Sequence, residues 1–390
     1  MRKLWYMGLE PYEGRYTLQL EQWSEKAFKR RGIDYEIIRG DTLDNSKAIV
    51  TGQVLDAHGR SYYSLTQMAR LVQKMKNGEV TSDDVIFFED MFTPGIESLP
   101  YIMDQCLIQN PMIYVRCLAQ TIDPDDFLHV WHMDDWMRKY EQMLLPWVTV
   151  LASNEEMVAH MRIAGWDAPI RNISGLAFDK EEVRSRVKSI PDFFDRPRRV
   201  IFAARFDQEK QPHWFMDIIE KYYESNVMEP PEFAVVSGGP LKSNDSSVLE
   251  RAKKLQQEGK LKIYENLKKD EYYCLLANSR VLFNCALQDW VSNTASEADS
   301  LGTNCVYPAY RSFPETFAND ASRLYVPWSQ EDAISKLNTA LSEPNQNIGK
   351  LSDWTSATID RCLDIMLEED NNQWFRNYSR YREHIPHAKY

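Results

Sequence analysis

Several signals are missing from this 390-residue chain, and each absence removes a class of protein. There is no Gly-x-Gly-x-x-Gly, so the dinucleotide fingerprint of a dehydrogenase is absent. No apolar stretch reaches the roughly 18 residues of a membrane-spanning helix. The N-terminus has no long apolar run ahead of its polar loop and reads as a first strand, which gives the chain a cytoplasmic character. The six cysteines, at 106, 117, 274, 285, 305 and 362, lack the paired spacing of a zinc site. Most lie in apolar runs, as reduced core thiols do, rather than in a disulfide framework. Basic charge is not in excess either: 46 Lys and Arg against 58 Asp and Glu leave a net charge of −12. That argues against a basic coat for nucleic acid. It leaves room for a local groove, because binding depends on the phosphates neutralised locally. Lys29, Arg30 and Arg31 form one basic cluster and Arg376, Arg380 and Arg382 another, each ordinarily a solvated helix face.

What is present suits folded domains. The chain is 43% hydrophobic and 12% aromatic, and its length predicts two domains of about 150–200 residues. Lys3 to Gly8 reads as a strand, Leu9 to Gly14 as a loop, Arg15 to Arg31 as an amphipathic helix stopped by Gly32, and Tyr35 to Ile38 as a second strand. This is a βαβ unit with a right-handed crossover, hence a parallel sheet. Gly14, at the helix entrance, would let a ligand approach the backbone. The rhythm continues with Val85 to Phe88, Met112 to Val115 and Trp147 to Ala152, the last followed by Ser153 as a helix N-cap. Strand ends opening on one crevice would gather Glu89, Asp90 and Arg116, as an acceptor site or as a structural salt bridge. Asp123-Pro-Asp125-Asp126, with His129, His132, Asp134 and Asp135, matches no zinc spacing. It reads as a polar loop entering a helix, and no metal is expected. Ile170 to Phe178 is a short strand turning at Gly175. The charged stretch from Asp179 to Arg199, with Pro191 and Pro197, reads as a linker. The expected division is 1–190 and 191–352, with C-terminal helices over 353–390 packing back on the first domain. Trp374, Phe375, Tyr378 and Tyr381 form a partly apolar stripe there, suited to core packing.

The second half restarts the pattern. Arg199 to Ala204 is a strand, and Arg205 to Lys210 is a loop into a helix beginning near Pro212. Two cations five positions apart beside a helix N-terminus suit a diphosphate, or are simply surface cations. Phe233 to Val236 ends in the tight turn Ser237-Gly238-Gly239-Pro240, and Lys262 to Tyr264 is the next strand. The buried run Arg280 to Leu287 leads into Gln288 to Gly302, where the spacing predicts a polar loop, a helix from about Asn293, and a left-handed cap at Gly302. Asp289 would lie in the loop and Glu297 one turn into the helix. In an open α/β sheet a ligand sits there, outside the carboxyl ends of the strands. Both carboxylates could accept hydrogen bonds from sugar hydroxyls, or be a loop cap and a solvated first-turn acid. Asn304 to Pro308 follows as a strand.

In this order the motifs resemble those of GT-B glycosyltransferases, most of all the retaining enzymes of glycosyltransferase family 4. Glu13 to Ile38 resembles the family's glycine loop, helix and second strand, and Val150 to Asp179 its strand, cap and turn at Ser174-Gly175. Ile201 to Lys210 resembles the arginine-x4-lysine motif, Val235 to Pro240 the glycine-rich turn, and Asp289-x7-Glu297 the paired-glutamate motif. The resemblance implies an α/β chain of two Rossmann-like domains facing a central cleft, with a nucleotide-sugar donor, a UDP-sugar, in the second. Arg205 and Lys210 would neutralise the diphosphate leaving group. Asp289 and the backbone of Ser292, Asn293 and Thr294 would hold the sugar hydroxyls, Glu297 the ribose, Asn266 and Leu267 the base, with Gly14 and Gly239 also on the donor side. Attack would be front-face, with no covalent intermediate, no cofactor and no metal. Two departures stand out. Asp289 replaces a glutamate and is one methylene shorter, which implies a donor sugar that differs from a common hexose, a pentose being one option. Arg116 stands where the family has a histidine near the acceptor.

The opening Lys3 to Trp23 resembles, more loosely, glycosyltransferases of T4-type phages. That implies 5-hydroxymethylcytosine in double-stranded phage DNA as acceptor, with glucosyl or arabinosyl transfer, though the acidic net charge fits this badly. A polysaccharide or lipid-linked acceptor is the alternative. Two readings of other classes also stand: a catalytically degenerate nucleotide-sugar-binding protein, and a GT-A enzyme using Asp123-Pro-Asp125 with a divalent metal.

Overall fold

The computed structural model describes residues 2–12, 16–43, 57–109, 111–118, 120–124, 126–130, 132–225, 229–243, 245–287 and 289–368. The chain divides into two compact units. The first takes the N-terminal part up to Ala177 together with the chain from Thr358 on; the second holds Phe178–Ala357.

The first unit runs β1 (Leu4–Met7), α1 (Tyr16–Arg30), β2 (Tyr35–Ile37), α2 (Ala57–Lys76), β3 (Val85–Phe88), α3 (Leu99–Gln105), β4 (Met112–Arg116), α4 (Phe127–Val130), α5 (Asp134–Leu144), β5 (Thr149–Ala152), α6 (Glu155–Ile163) and β6 (Ile170–Asn172). Its six strands lie in the order β2-β1-β3-β4-β5-β6, and every pairing is parallel. Strands β1 and β3, LWYM and VIFF, are buried at every position, as a sheet covered on both faces requires. Leu20, Trp23, Ala27 and Phe28 put the apolar stripe of α1 against it. Gly32 then adopts φ +63 and closes the helix, as expected. Two local readings change. The N-cap of α6 is Asn154 rather than Ser153, its side chain accepting from the Met157 N–H at 2.8 Å. The strand expected over Ile170 to Phe178 stops at Asn172, because Ser174 (φ 56) and Gly175 (φ 115) turn the chain.

The second unit runs α7 (Lys180–Ser185), β7 (Arg199–Phe202), α8 (Pro212–Glu224), β8 (Glu232–Val236), α9 (Ser246–Gln257), β9 (Lys262–Tyr264), α10 (Lys269–Ala277), β10 (Val281–Phe283), α11 (Asn293–Ser300), β11 (Asn304–Pro308), α12 (Phe313–Thr316), β12 (Leu324–Tyr325), α13 (Gln330–Ser342) and α14 (Lys350–Ser356). Its sheet is also parallel, ordered β12-β11-β10-β7-β8-β9. Stacked rings of Trp214, Phe283 and Tyr325 anchor α8 to it, with centroids 5.4–6.0 Å apart. The proline-bearing stretch read as a linker is packed structure. Arg184 of α7 donates to the Ser300 carbonyl at 3.3 Å, and Arg196 donates to the carbonyls of Leu301 (3.1 Å) and Gly302 (2.7 Å). Arg196 thereby satisfies the C-terminal carbonyls of α11. Gly302 itself is left-handed, φ +73, and a Cβ there would come within 2.8 Å of the Arg196 guanidinium. After α14 the chain returns to the first unit as α15 (Thr358–Glu368). Asp360 of this helix accepts from Arg30 of α1 at 2.6 Å, and Asp364 pairs with Arg31. The aromatic stripe at 374–381 and the basic cluster at 376–382 lie outside the described residues.

The strand orders fix where each unit can hold a ligand. In the second sheet the chain steps outward from β7 through β8 and β9, then outward on the other side from β10 through β11 and β12. The loops leaving β7 and β10 therefore part company, and a crevice opens between them. In the first sheet the corresponding point lies between β1 and β3.

Candidate functional site

At the β7/β10 switch the loops bring together Lys210 and Asp289, 79 residues apart, with Lys210 Nζ 2.8 Å from Asp289 Oδ1. The β7 loop is held by the buried ring of Phe206, packed on Phe202 at 6.0 Å, and by the Ser243 hydroxyl donating to the Phe206 carbonyl at 2.6 Å. Gln208–Lys210 then form a 3-10 turn, Gln211 adopts φ 53, and Pro212 opens α8. The two loops are tied by backbone: the Leu287 N–H donates to the Glu209 carbonyl at 2.8 Å, and the Cys285 thiol to the Lys210 carbonyl at 3.5 Å. On the other side, the Ser312 hydroxyl donates to the Trp290 carbonyl at 2.7 Å, steadying the backbone next to Asp289.

Arg205 sits differently. Its side chain is 42% exposed, with Nη1 2.9 Å from Asp207 Oδ2 and Nη2 2.8 Å from Glu209 Oε1. Burial raises the Glu209 carboxyl above its ordinary value, opposed by the charges of Lys210 and Arg205. Both cations are thus compensated by carboxylates. A diphosphate entering here would replace existing partners rather than fill a vacant positive hole.

Past Asp289 the chain enters α11. Ser292 is its N-cap, accepting from the Ala295 N–H at 3.4 Å. The Ser292 hydroxyl is fixed by the Thr294 hydroxyl at 2.9 Å and the phenol of Tyr307 from β11 at 3.0 Å. Asn293 and Thr294 are the first residues of the helix, so their N–H groups have no intrahelical acceptor by construction. One turn on, Glu297 is buried. Its Oε1 accepts from Lys269 Nζ (2.7 Å) and Tyr273 Oη (3.0 Å), and its Oε2 from Tyr272 Oη (3.0 Å). After β8, the turn Ser237–Pro240 joins the loop before α10. Asn266 donates to the Gly239 carbonyl at 3.2 Å, and Leu267 to the Ser237 carbonyl at 3.1 Å. Asn266 is left-handed, φ 58. The sequence candidates of the second half thus fall in the loops and helices that follow the carboxyl ends of β7, β8, β9 and β10 in one sheet.

In the first unit the candidates separate. Glu89 and Arg116 are brought together, with Arg116 Nε 2.8 Å from Glu89 Oε2, and Tyr6 Oη donates to Glu89 Oε1 at 2.9 Å. At 0% and 1% exposure, however, they offer an incoming acceptor no surface. This is the structural salt bridge. Asp90 lies at the β1/β3 switch, where Arg60 of α2 holds it at 3.0 Å and Glu10 at 2.6 Å. Gly14 and Asp125 lie outside the described residues. Among the described residues no three His, Cys, Asp or Glu side chains are grouped to hold a metal ion.

Acid groups also crowd the loop after β4. Burial pushes Asp126 up to about 6 and Glu141 up to about 7. Glu141 accepts from the Thr121 N–H at 2.9 Å and from the Thr121 hydroxyl. A carboxyl whose pKa is raised on folding contributes stability at low pH, and loses it as pH climbs through the folded value. Glu141→Gln should therefore leave stability little changed at pH 4.5, yet raise it at pH 8 by on the order of 2 kcal/mol, read from urea unfolding at both pH values. An equal effect at both would contradict this account of Glu141.

The comparisons with known proteins agree with this geometry. Residues 183–357, within the second unit, match the model of the family described as glycosyl transferases group 1. No curated protein matches the chain in sequence. Solved structures match over its length. Sucrose-phosphate synthase from Thermosynechococcus elongatus aligns over 98% of this chain and 100% of its own, with a TM-score of 0.62 and 13% identity. Anabaena HepE in complex with UDP aligns over 99% and 100%, with a TM-score of 0.58 and 12% identity. The lipopolysaccharide outer core galactosyltransferase WaaB aligns over 98% and 99%, with a TM-score of 0.58 and 15% identity. The fold is GT-B: two Rossmann-like α/β domains, each on a parallel six-stranded sheet. No helix among the described residues is long and apolar enough to cross a membrane.

Proposed function

We propose that the protein is a retaining glycosyltransferase that moves a hexose or pentose from a nucleotide-sugar donor to an acceptor hydroxyl. The observation that carries this is the 2.8 Å Lys210–Asp289 pair at the β7/β10 switch, inside a domain matching glycosyl transferases group 1. On this reading the donor's diphosphate takes the Lys210 ammonium from Asp289, and Arg205 turns to the same phosphates. Charge developing on the leaving group is met by cations already in place. Asp289, released, accepts from a hydroxyl of the donor sugar, while the first N–H groups of α11, at Asn293 and Thr294, meet further oxygens. Glu297 takes the ribose, and the Gly239, Asn266 and Leu267 loops frame the base. Neither a protein nucleophile nor a bound metal is needed, since the departing phosphate can take the acceptor proton. UDP is the first nucleotide to test, because HepE, similar in fold, binds it.

For the acceptor, the resemblance of Lys3 to Trp23 to phage enzymes favours 5-hydroxymethylcytosine in DNA. A second reading rests on the first unit's own chemistry. Its switch point carries Glu10 and Asp90 around a single Arg60. Trp136, 48% exposed, stacks on Tyr140 with centroids 5.8 Å apart. Acids and an open indole suit a neutral saccharide better than a polyanion. The test is UDP release from UDP-hexoses and UDP-pentoses with hydroxymethylated duplex DNA, with oligosaccharides and with no acceptor, products being read by mass. Transfer to either acceptor, with the anomeric configuration of the donor kept, supports the reading and chooses the acceptor. Donor binding with no turnover in any arm would mark a degenerate binder, and inversion at the anomeric carbon would remove the retaining mechanism.

A further inference from the structure

Three hydroxyls meet at the start of α11, and two of them belong to buried residues. Tyr307 of β11 is 0% exposed, and its ring centroid lies 4.9 Å from that of Phe313 and 5.0 Å from that of Phe317. Rings on two sides hold the phenol in one direction. Its oxygen lies 3.0 Å from Ser292 Oγ and 3.4 Å from Thr294 Oγ1, and those two oxygens are 2.9 Å apart. Ser292 is buried like Tyr307, whereas Thr294 is only half-buried. Burial, with a smaller contribution from the Asp289 charge among others, holds the Tyr307 phenol well above its ordinary value. It therefore stays a proton donor at any working pH.

The direction of each hydrogen bond follows from counting protons and lone pairs. A hydroxyl proton taken out of water has to be donated, and the nearest acceptor for the phenol is Ser292 Oγ. Ser292 Oγ also takes the Ala295 N–H at 3.4 Å as the cap of α11, which uses its second lone pair. The proton of Ser292 then goes to Thr294 Oγ1 at 2.9 Å. Thr294 ends the relay. Ser292 can accept nothing more, and Tyr307 Oη at 3.4 Å lies beyond the roughly 2.5–3.0 Å of an O–H···O bond. The Thr294 proton is the one left for a ligand, beside the first N–H groups of α11 at the positive end of that helix. We infer that the Thr294 hydroxyl donates to an oxygen of the donor's diphosphate, and that Tyr307 is a positioning residue that aims it there through Ser292. The inference rests on the reading of the second unit as a nucleotide-sugar site.

The test uses the full chain and the nucleoside diphosphate that stabilises it most in a thermal-shift panel. Calorimetry gives its dissociation constant, and displacement of the diphosphate gives that of the parent nucleoside. Thr294→Val should weaken the diphosphate about 10- to 100-fold, the worth of one hydrogen bond to a charged group, and leave the nucleoside unchanged. Thr294→Ser keeps the hydroxyl and should bind within about threefold of the wild type. Tyr307→Phe keeps the ring contacts but frees Ser292 Oγ to accept from Thr294, which competes with the ligand. It should weaken the diphosphate by about 3- to 10-fold, and by nothing further when Thr294 is already Val. A Tyr307→Phe effect of the same size in both backgrounds would make the phenol a packing residue and overturn the relay. Wild-type binding by Thr294→Val, or an equal loss for the bare nucleoside, overturns the contact itself. The Thr294→Val and Thr294→Ser pair decides alone should Tyr307→Phe fail to fold. If no nucleoside diphosphate binds the wild-type chain, the donor-site reading fails first and takes this inference with it. That outcome is distinct from binding that ignores Thr294.

Discussion

Lys210→Ala should lower kcat by about 100- to 1,000-fold, the loss seen when one preorganised charge partner of a leaving group is removed. Lys210 is the more buried of the two candidate cations, its side chain 11% exposed, and its partner Asp289 is the residue expected to receive the sugar. Its removal takes away the counter-charge to the phosphates and also the group that holds Asp289 in register. Arg205→Ala should cost less, about 10-fold, because that side chain is 42% exposed and shared between Asp207 and Glu209. Steady-state UDP release for both variants, set against their melting temperatures, separates chemistry from folding. Normal turnover in Lys210→Ala would remove the diphosphate clamp.

The second large effect is on stability, in the first unit. Arg116→Leu should lower the unfolding free energy at pH 7 by about 3–5 kcal/mol, because it strands a buried carboxylate. Glu89 is 0% exposed, and Tyr6 would be its one remaining partner among the contacts described. Desolvation already raises the Glu89 carboxyl against the pull of Arg116. Without the arginine it should rise further, so the defect should shrink as pH falls and the carboxyl takes up its proton. The double variant Glu89→Leu/Arg116→Leu should recover most of the loss in urea unfolding. If Arg116→Leu alone melts like the wild type, the pair is not the buried structural bridge described above.

The parts of this molecule that were legible in its sequence are those set by neighbours along the chain. Pro212 at a helix start, Gly32 and Gly302 as left-handed stops, and the strands at 85–88, 262–264 and 304–308 each follow from a few adjacent residues. The place of Asp289 in the loop and of Glu297 one turn into α11 followed from spacing alone. Contacts that depend on how helices pack were not legible. Glu297 meets Lys269, Tyr272 and Tyr273 across 24 to 28 residues, and nothing local marks those three as its partners. Arg60 joins Glu10 to Asp90 only because α2 crosses the β1/β3 switch. Prolines and charge between Asp179 and Arg199 read as a linker, since composition cannot show that Arg196 spans 105 residues to cap α11. Likewise Glu89 and Arg116 were rightly placed at neighbouring strand ends. Their burial depends on helices packed over both faces of the sheet, which spacing does not reveal.

The most direct test of the donor site is the thermal stability of wild type and Lys210→Ala against UDP and the other nucleoside diphosphates. At 100 times its dissociation constant a ligand stabilises the native state by about 2.7 kcal/mol. The wild-type chain should be stabilised by one nucleotide family, and Lys210→Ala should lose most of that shift at the same concentration while melting normally without ligand. A shift of equal size in both proteins would place the diphosphate away from Lys210, and no shift with any nucleotide would contradict the assignment of a nucleotide-sugar site to the β7/β10 switch.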